Sequence, residues 1–370
     1  MTTASPGARE WLALSQLPGI GPARLAEVAA RAAAWPDGWL VLLPREAATA
    51  LRLWLDHPAQ SPLSAEVERA EAWLAAGPDR HLLHPGHPAW PRLLGEIADP
   101  PPLLWGWGDL DALSPPRLAM VGARRATREG LANAASFARE LAGRGWCVVS
   151  GMALGIDAAA QQAALAAGGP SVAVLGCGVD VVYPARHHRL HERLREPGGL
   201  LLSEHPPGTP ARPAYFPRRN RIVTGLSCGV LVVEAAERSG SLVSARLAAE
   251  QGREVFALPG SIHNPQARGC LRLIRDGAAL VCEVDDIIAE LSQWLPDLPA
   301  SGAPADPPAP SDPRLGDPLL RWLSGTPTPV DALVGLSGLG VVECQRRLLE
   351  LELEGRVAHA AGGWVRLSGA

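Results

Sequence analysis

Six short apolar runs recur through the middle of this chain, and no other feature limits its fold as strongly. They are RLAMVG (117–122), WCVVSG (146–151), SVAVLG (171–176), GLLLSE (199–204), GVLVVEA (229–235) and EVFALPG (254–260). Continuous apolar runs of this length suit strands buried on both faces. Between them lie amphipathic stretches; 128–144 places Leu131, Ala134, Ala138 and Leu141 on one helical face. Strands alternating with helices build βαβ units, which predicts an α/β protein with a doubly wound, Rossmann-like parallel sheet. Ligands of such sheets bind beyond the carboxyl ends of the strands. The functional loops are therefore expected at 122–128, 150–157, 176–187, 204–221, 234–242 and 259–269.

The flanks read differently. Residues 1–75 are short Ala/Leu-rich helices broken by Pro and Gly, 80–117 is Pro/Trp-rich, and 296–313 (PDLPASGAPADPPAPSDP) is an aperiodic Pro/Ala linker. Four parts are expected: a helical domain over 1–75, the sheet domain over 76–295, the linker, and a small domain over 314–370. Near the start, LPGIGPARL (17–25) is similar to a helix–hairpin–helix, in which turn amides meet a phosphate and Arg24 could assist. An αα corner using glycine for its turn accounts for it as well. Residues 1–117 carry 9 Arg against 13 acids, which favours the structural role.

All 34 residues of the Lys+Arg count are arginine. With no lysine there is no Walker A lysine, no Schiff-base lysine and no lysine general base. Any phosphate contact by a charged side chain must use the guanidinium fork. The whole chain is at −4, yet 118–295 carries 19 Arg against 16 acids, and 212–221 (RPAYFPRRNR) holds four Arg and no acid. A modestly acidic protein with one concentrated basic segment is built for local anion binding. Mean hydropathy is +0.06, no stretch has the apolar length of a membrane span, and the first residues carry no secretory signal. The six cysteines form no close CxxC pair, as expected of reduced residues in a cytoplasmic protein.

Four loops carry candidate chemistry. VGARR (121–125) puts Arg124 and Arg125 between a strand end and a helix N-terminus. SGMALGID (150–157) offers Ser150 and Gly151 but matches neither GxGxxG nor GxxxxGK[ST]; Asp157 suits a helix N-terminal carboxylate better than a catalyst. FPRRNR (216–221) supplies Arg218, Arg219, Asn220 and Arg221. VVEAAERSGSL (232–242) follows with Ser239 and Gly240 opening a helix. Glu234 has no His, Asp or Cys spaced as a catalytic partner, and is expected to organise the four arginines through salt bridges.

Taken in order, VGARR, SGMALGIDAAA, LGCGVDVVYP, SEHPPGTP, FPRRNRIVTGLS, VVEAAERSGSLVSARLA, VFALPGSI and GCLRLIRDGA resemble the DNA-processing protein A (DprA/Smf) family over roughly 80–290. The resemblance implies a protein that binds single-stranded DNA, protects incoming strands in natural transformation and loads the RecA recombinase, as a homodimer. Carried over by position, the DNA site would be Arg124, Arg125, Ser150, Gly151, Arg186, Arg218, Arg219, Asn220, Arg221, Ser239 and Gly240. Phe216 and Tyr215 would offer π-faces for a base. The dimer would form through the helix around 268–276, with Leu271 and Ile274 on one face. Two departures stand out. After YP the basic residue is displaced, leaving Ala185, Arg186 and His187, and the family's usual His after GID is replaced in Ala158, Ala159, Ala160 and Gln161.

The last segment resembles a winged helix: Pro329–Val334 and Leu339–Leu353 as the helix–turn–helix, with Val341, Cys344, Leu348 and Leu351 buried, and Arg356–Leu367 as the wing. Its second helix exposes Glu343, Glu350, Glu352 and Glu354 against Arg346 and Arg347, which suits a protein contact better than DNA reading. No cofactor, metal or catalytic residue is expected, and no enzymatic activity. The alternatives are a nucleotide hydrolase of the LOG phosphoribohydrolase type, whose PGGxGTxxE loop is here SGSLVSARLAAE, and a nucleotide-sensing regulator using the same pocket.

Overall fold

Each of the six runs is a strand in the computed structural model, which describes residues 5–31, 34–292, 317, 319–324, 327–360 and 362–367. The expected linker, 296–313, lies outside the described residues. The chain divides into two compact units, Met1–Leu298 and Pro299–Ala370.

The first unit opens with five helices: α1 (Ala8–Ser15), α2 (Pro22–Arg31), α3 (Asp37–Leu42), α4 (Arg45–Asp56) and α5 (Pro62–Ala75). An edge hairpin follows, β1 (Arg80–Leu83) and β2 (Leu104–Gly108), with the one-turn α6 (Arg92–Gly95) between its strands. The parallel strands are β3 (Arg117–Val121), β4 (Cys147–Ser150), β5 (Ser171–Leu175), β6 (Gly199–Ser203), β7 (Gly229–Val232), β8 (Glu254–Ala257) and β9 (Ala279–Leu280). Their order is β1-β2-β6-β5-β4-β3-β7-β8-β9, antiparallel where β2 meets β1 and β6 and parallel elsewhere. The chain thus builds away from β3 in both directions. Val121 pairs with Val232 of β7 on one side, and Ala119 with Val149 of β4 on the other. The point where strand order reverses is where crossover helices part and a crevice opens.

Strand alternation sorts the core. Leu118 and Met120 face α7 (Arg128–Gly143), α8 (Ile156–Ala166) and α13 (Val284–Ser292) through Ala134, Leu141, Ile156 and Ile287. Ala119 and Val121 face α10 (Tyr215–Gly225), α11 (Ser241–Glu250) and α12 (Arg268–Arg275) through Ile222, Ala245 and Cys270. Of the expected α7 face, Leu131 is 36% exposed in the first turn, and Phe137 takes a buried place instead. The five N-terminal helices are not a separate island. Trp11, Trp39, Leu51 and Val67 share one buried cluster with Leu82, Trp105 and Leu201 of the sheet.

The basic segment expected as a loop is helical. Pro217 falls in the first turn of α10, where backbone N–H groups have no intrahelical partner to lose. Helical geometry then aims successive arginines in different directions, with consequences for the site.

The second unit contains α14 (Val330–Ser337), α15 (Val341–Leu353) and the hairpin of β10 (Val357–Ala360) and β11 (Gly363–Arg366). Cys344, Leu348 and Leu351 are buried with Leu333, Val357 and Trp364. Val341 is not part of that face. It is the first residue of its helix, ahead of the packed stripe, and is 49% exposed.

Candidate nucleic-acid interface

The loops after β3, β4 and β7 are stitched together by backbone hydrogen bonds. Ala123 N donates to Glu234 O at 2.7 Å, and Ile156 N donates to Ala123 O at 3.2 Å. Gly155, at φ +82°, makes this approach possible, since a Cβ there would strike the Ala123 carbonyl. Around these loops lies a crevice of about 660 Å³ at the strand-order reversal, lined by Arg124, Arg125, Asp157, Tyr183, Phe216, Arg219, Asn220, Ser239, Gly240, Ser241 and Gln266 among others. A larger groove of about 750 Å³ lies between α11 and α12, where Arg238, Arg246, Arg253 and Arg272 are mixed with Glu237, Glu254 and Asp276. Uncompensated positive charge gathers in the first.

Arg219 is the centre of that charge. It is only 7% exposed; Nη1 donates to the Val174 carbonyl and Nε has no partner. Gly151 lies flush against the guanidinium, leaving no room for a Cβ. Burial pulls the Arg219 guanidinium below its ordinary range, while Asp157 opposes the shift and Arg124 adds to it. Burial likewise pushes the Asp157 carboxyl up, against the pull of Arg219. Arginine keeps its proton in proteins, so the crevice floor carries a fixed, dehydrated cation. Arg124 and Arg125 are exposed at its rim and make no ion pair with a described residue.

Of the expected site residues, Arg124, Arg125, Arg219, Asn220, Ser239 and Gly240 converge here. Five do not, and four of these are held by other partners. The fully buried Ser150 hydroxyl donates to Met120 O at 2.6 Å, and Gly151 N donates to Asp157 Oδ2 at 3.1 Å. Arg221 is turned away: Nε bonds Asp99 and the two terminal nitrogens clasp Glu204 at 3.1 and 2.6 Å. Arg218 lies 3.3 Å from the same Glu204. Arg186 is exposed outside the crevice lining.

Glu234 does not organise the arginines of 212–221; Glu204 holds two of them, Arg218 and Arg221. The Glu234 carboxylate accepts from the Thr127 N–H at 3.0 Å and from its hydroxyl, while Thr127 caps α7 by accepting from Gly130 N. Its charge serves a helix N-terminus. The missed polar lining residues are Tyr183, Ser244 and Gln266, while Ser241 follows Ser239 and Gly240 at the opening of α11 as its motif implies. The YP of LGCGVDVVYP was the available signal for the first. Among the described residues, no group of three or more His, Cys, Asp or Glu gathers as metal ligands, and no helix is long and apolar enough to cross a membrane.

Comparison with known proteins now bears on this site. The family model described as DNA recombination-mediator protein A matches residues 81–292, and the DprA winged helix domain matches 303–363. The chain belongs to the DprA family. Protein Smf of Escherichia coli (strain K12) is 46% identical over 305 residues, 81% of each chain. The X-ray structure of DprA from Streptococcus pneumoniae superposes with a TM-score of 0.64 at 34% identity, over 78% of this chain and 99% of that one. DprA from Helicobacter pylori, whose structure is described for a unique single-stranded DNA binding mode, superposes with a TM-score of 0.52 at 32% identity, over 58% and 96%.

The departure from the DprA pattern at Gln161 has a structural role. Its buried amide accepts from Met152 N at 3.1 Å and donates to Val172 O at 3.1 Å, tying the 150–157 loop to β5. Met152 holds φ +53°, an unfavourable backbone for a non-glycine residue, and His187 Nδ1 binds its carbonyl at 3.0 Å. The glutamine supplies one donor and one acceptor, as a neutral histidine would.

Proposed function

We propose that this chain binds single-stranded DNA in the crevice at the strand-order reversal. It then acts without catalysis as a recombination mediator, protecting the strand and passing it to the RecA recombinase. The observation that carries the reading is the imbalance of charge there: three guanidiniums, one of them buried with an unpartnered Nε, against the single carboxylate of Asp157 among the described lining residues. Guanidinium forks hold phosphates, and phosphate contacts position a strand without reading its sequence. Family membership and the single-stranded DNA mode described for the Helicobacter pylori relative support the same conclusion. The hydrolase alternative is weakened because the stretch matching its PGGxGTxxE loop ends at Glu250, which is exposed, pairs with Arg246 and does not line the crevice. We further propose a cytoplasmic homodimer formed through α12. Leu271 is half-buried there, whereas Ile274 packs partly onto the sheet core.

The test is a titration of the full chain with single-stranded DNA, blunt duplex and nucleoside monophosphates across salt. Single strands should bind tightest, with a log–log salt slope of about −0.7 per phosphate neutralised. Equal affinity for duplex, or no salt slope, overturns the reading; tighter binding of a monophosphate would favour the nucleotide sensor.

A further inference from the structure

We infer that Tyr183, and neither aromatic residue of the basic segment, gives the crevice its base-stacking face. The inference rests on the single-stranded DNA reading and says what that site does with a nucleobase. Tyr215 is committed elsewhere: its ring stacks on His205 at 4.0 Å and it does not line the crevice. Phe216 lines the crevice but is partly buried, seated against Gly176, where a Cβ would come within 2.9 Å of the ring. Its centroid is 5.1 Å from that of Tyr183. Tyr183 remains 47% exposed on the same lining.

Phe216 therefore backs the Tyr183 ring while Tyr183 keeps surface to offer. The loop that carries it is fixed: Gly178 N donates to Thr209 O at 2.9 Å, and Gly208 N donates to Asp180 Oδ1 at 2.7 Å. A held aromatic ring beside phosphate-binding arginines is the arrangement that single strands use, because every base has a π-face to stack. Duplex DNA keeps its bases stacked on one another and cannot offer one. Tyr183 thus supplies a physical basis for preferring single strands that the arginines alone do not.

The experiment compares a thymidine oligonucleotide with an oligomer of the same length built from abasic sugar-phosphate units. The full chain is titrated as wild type, Tyr183→Phe, Tyr183→Ala and Arg124→Ala, with folding checked by circular dichroism. Tyr183→Ala should weaken thymidine binding by about 5- to 150-fold, the range of one base–aromatic stack, and leave abasic binding unchanged. Tyr183→Phe should behave as wild type. Equal loss on both oligomers, or no loss on either, overturns the proposal. If Tyr183→Ala does not fold, Tyr183→Leu replaces it, removing the π-face while keeping apolar bulk, and the same outcomes decide. If Arg124→Ala leaves both oligomers bound as before, the crevice reading fails and takes this inference with it. A loss with Arg124→Ala but none with Tyr183→Ala removes the inference alone.

Discussion

Arg124–Arg125 at the end of β3 and Arg346–Arg347 in α15 are the same dipeptide in opposite circumstances. The first pair makes no ion pair with a described residue and shares its crevice with the buried Arg219. In the second, Arg346 is bonded to Glu343 at 2.7 Å and also to Glu350, and Arg347 reaches Glu343 at 3.0 Å and Asp317 at 3.1 Å. An arginine can hold a phosphate only to the extent that no carboxylate already holds the arginine. Composition cannot distinguish the two pairs; the placement of acids does. On this contrast rests the assignment of DNA to the crevice rather than to the helix that a winged-helix fold would ordinarily present.

The severest way to break the contrast is to remove the crevice floor. Arg219→Ala should weaken single-stranded DNA binding by more than about 100-fold and also destabilise the chain, because the buried Asp157 carboxylate loses the nearby charge that offsets its burial. Urea unfolding separates the two effects, and adding Asp157→Asn should recover stability without recovering binding. Recovery of both would mean that Arg219 is a purely structural residue. Arg124→Ala is the next largest. It removes one exposed charge-assisted contact, about 1.5–3 kcal/mol or one to two decades in affinity, and should leave unfolding unchanged. A variant that binds as wild type would place the strand elsewhere.

What the sequence made legible follows the range of the interactions. The sheet could be read because each strand's pattern is local, and its reversal at β3 follows from connection rules. The salt bridges of α15 could be read because Glu343, Arg346 and Glu350 stand three and four apart on one helix. The fate of Arg221 could not: its partners Glu204 and Asp99 lie 17 and 122 residues away and meet it only in the fold. The bonding of Ser150 and Gly151 is illegible for the same reason, since a motif names a hydroxyl and an amide but not the Met120 and Asp157 groups that use them. Tyr183 is hidden because the YP motif draws attention to the charge that follows it and says nothing of how exposed its ring is.

A smaller effect sharpens the comparison from the other side. Glu343→Gln/Glu350→Gln keeps the shape of α15 but releases Arg346 from both of its carboxylates. If availability decides function, the released helix should gain DNA affinity of about two- to fivefold, with a steeper salt slope by about one unit or less. Such exposed pairs are individually weak, so unfolding should change little. No gain in affinity would mean that something other than pairing, such as the acidic flank of Glu352 and Glu354, keeps nucleic acid away.

The smallest effect is the most direct measure of whether the α15 arginines are held at all. Hydrogen bonds from Arg346 and then Arg347 draw the Glu343 carboxyl down from its ordinary 4.5 to about 2. For an acid held below its ordinary value, the interaction is fully in place above 4.5 and is lost only as the pH falls toward 2. At pH 4.5 an unpaired glutamate would be half protonated, whereas Glu343 should remain almost wholly ionised. The carboxyl-carbon NMR signal of Glu343 in the full chain reports this directly at a pH well above the end of the transition. Arg346→Ala/Arg347→Ala should return the signal to half protonation at pH 4.5 while changing single-stranded DNA affinity by less than about twofold, as expected of arginines already engaged by carboxylates. Half protonation in the unaltered chain would mean that these arginines are as free as Arg124 and Arg125. The assignment of DNA to the crevice would then lose its comparison and rest on Arg219 alone.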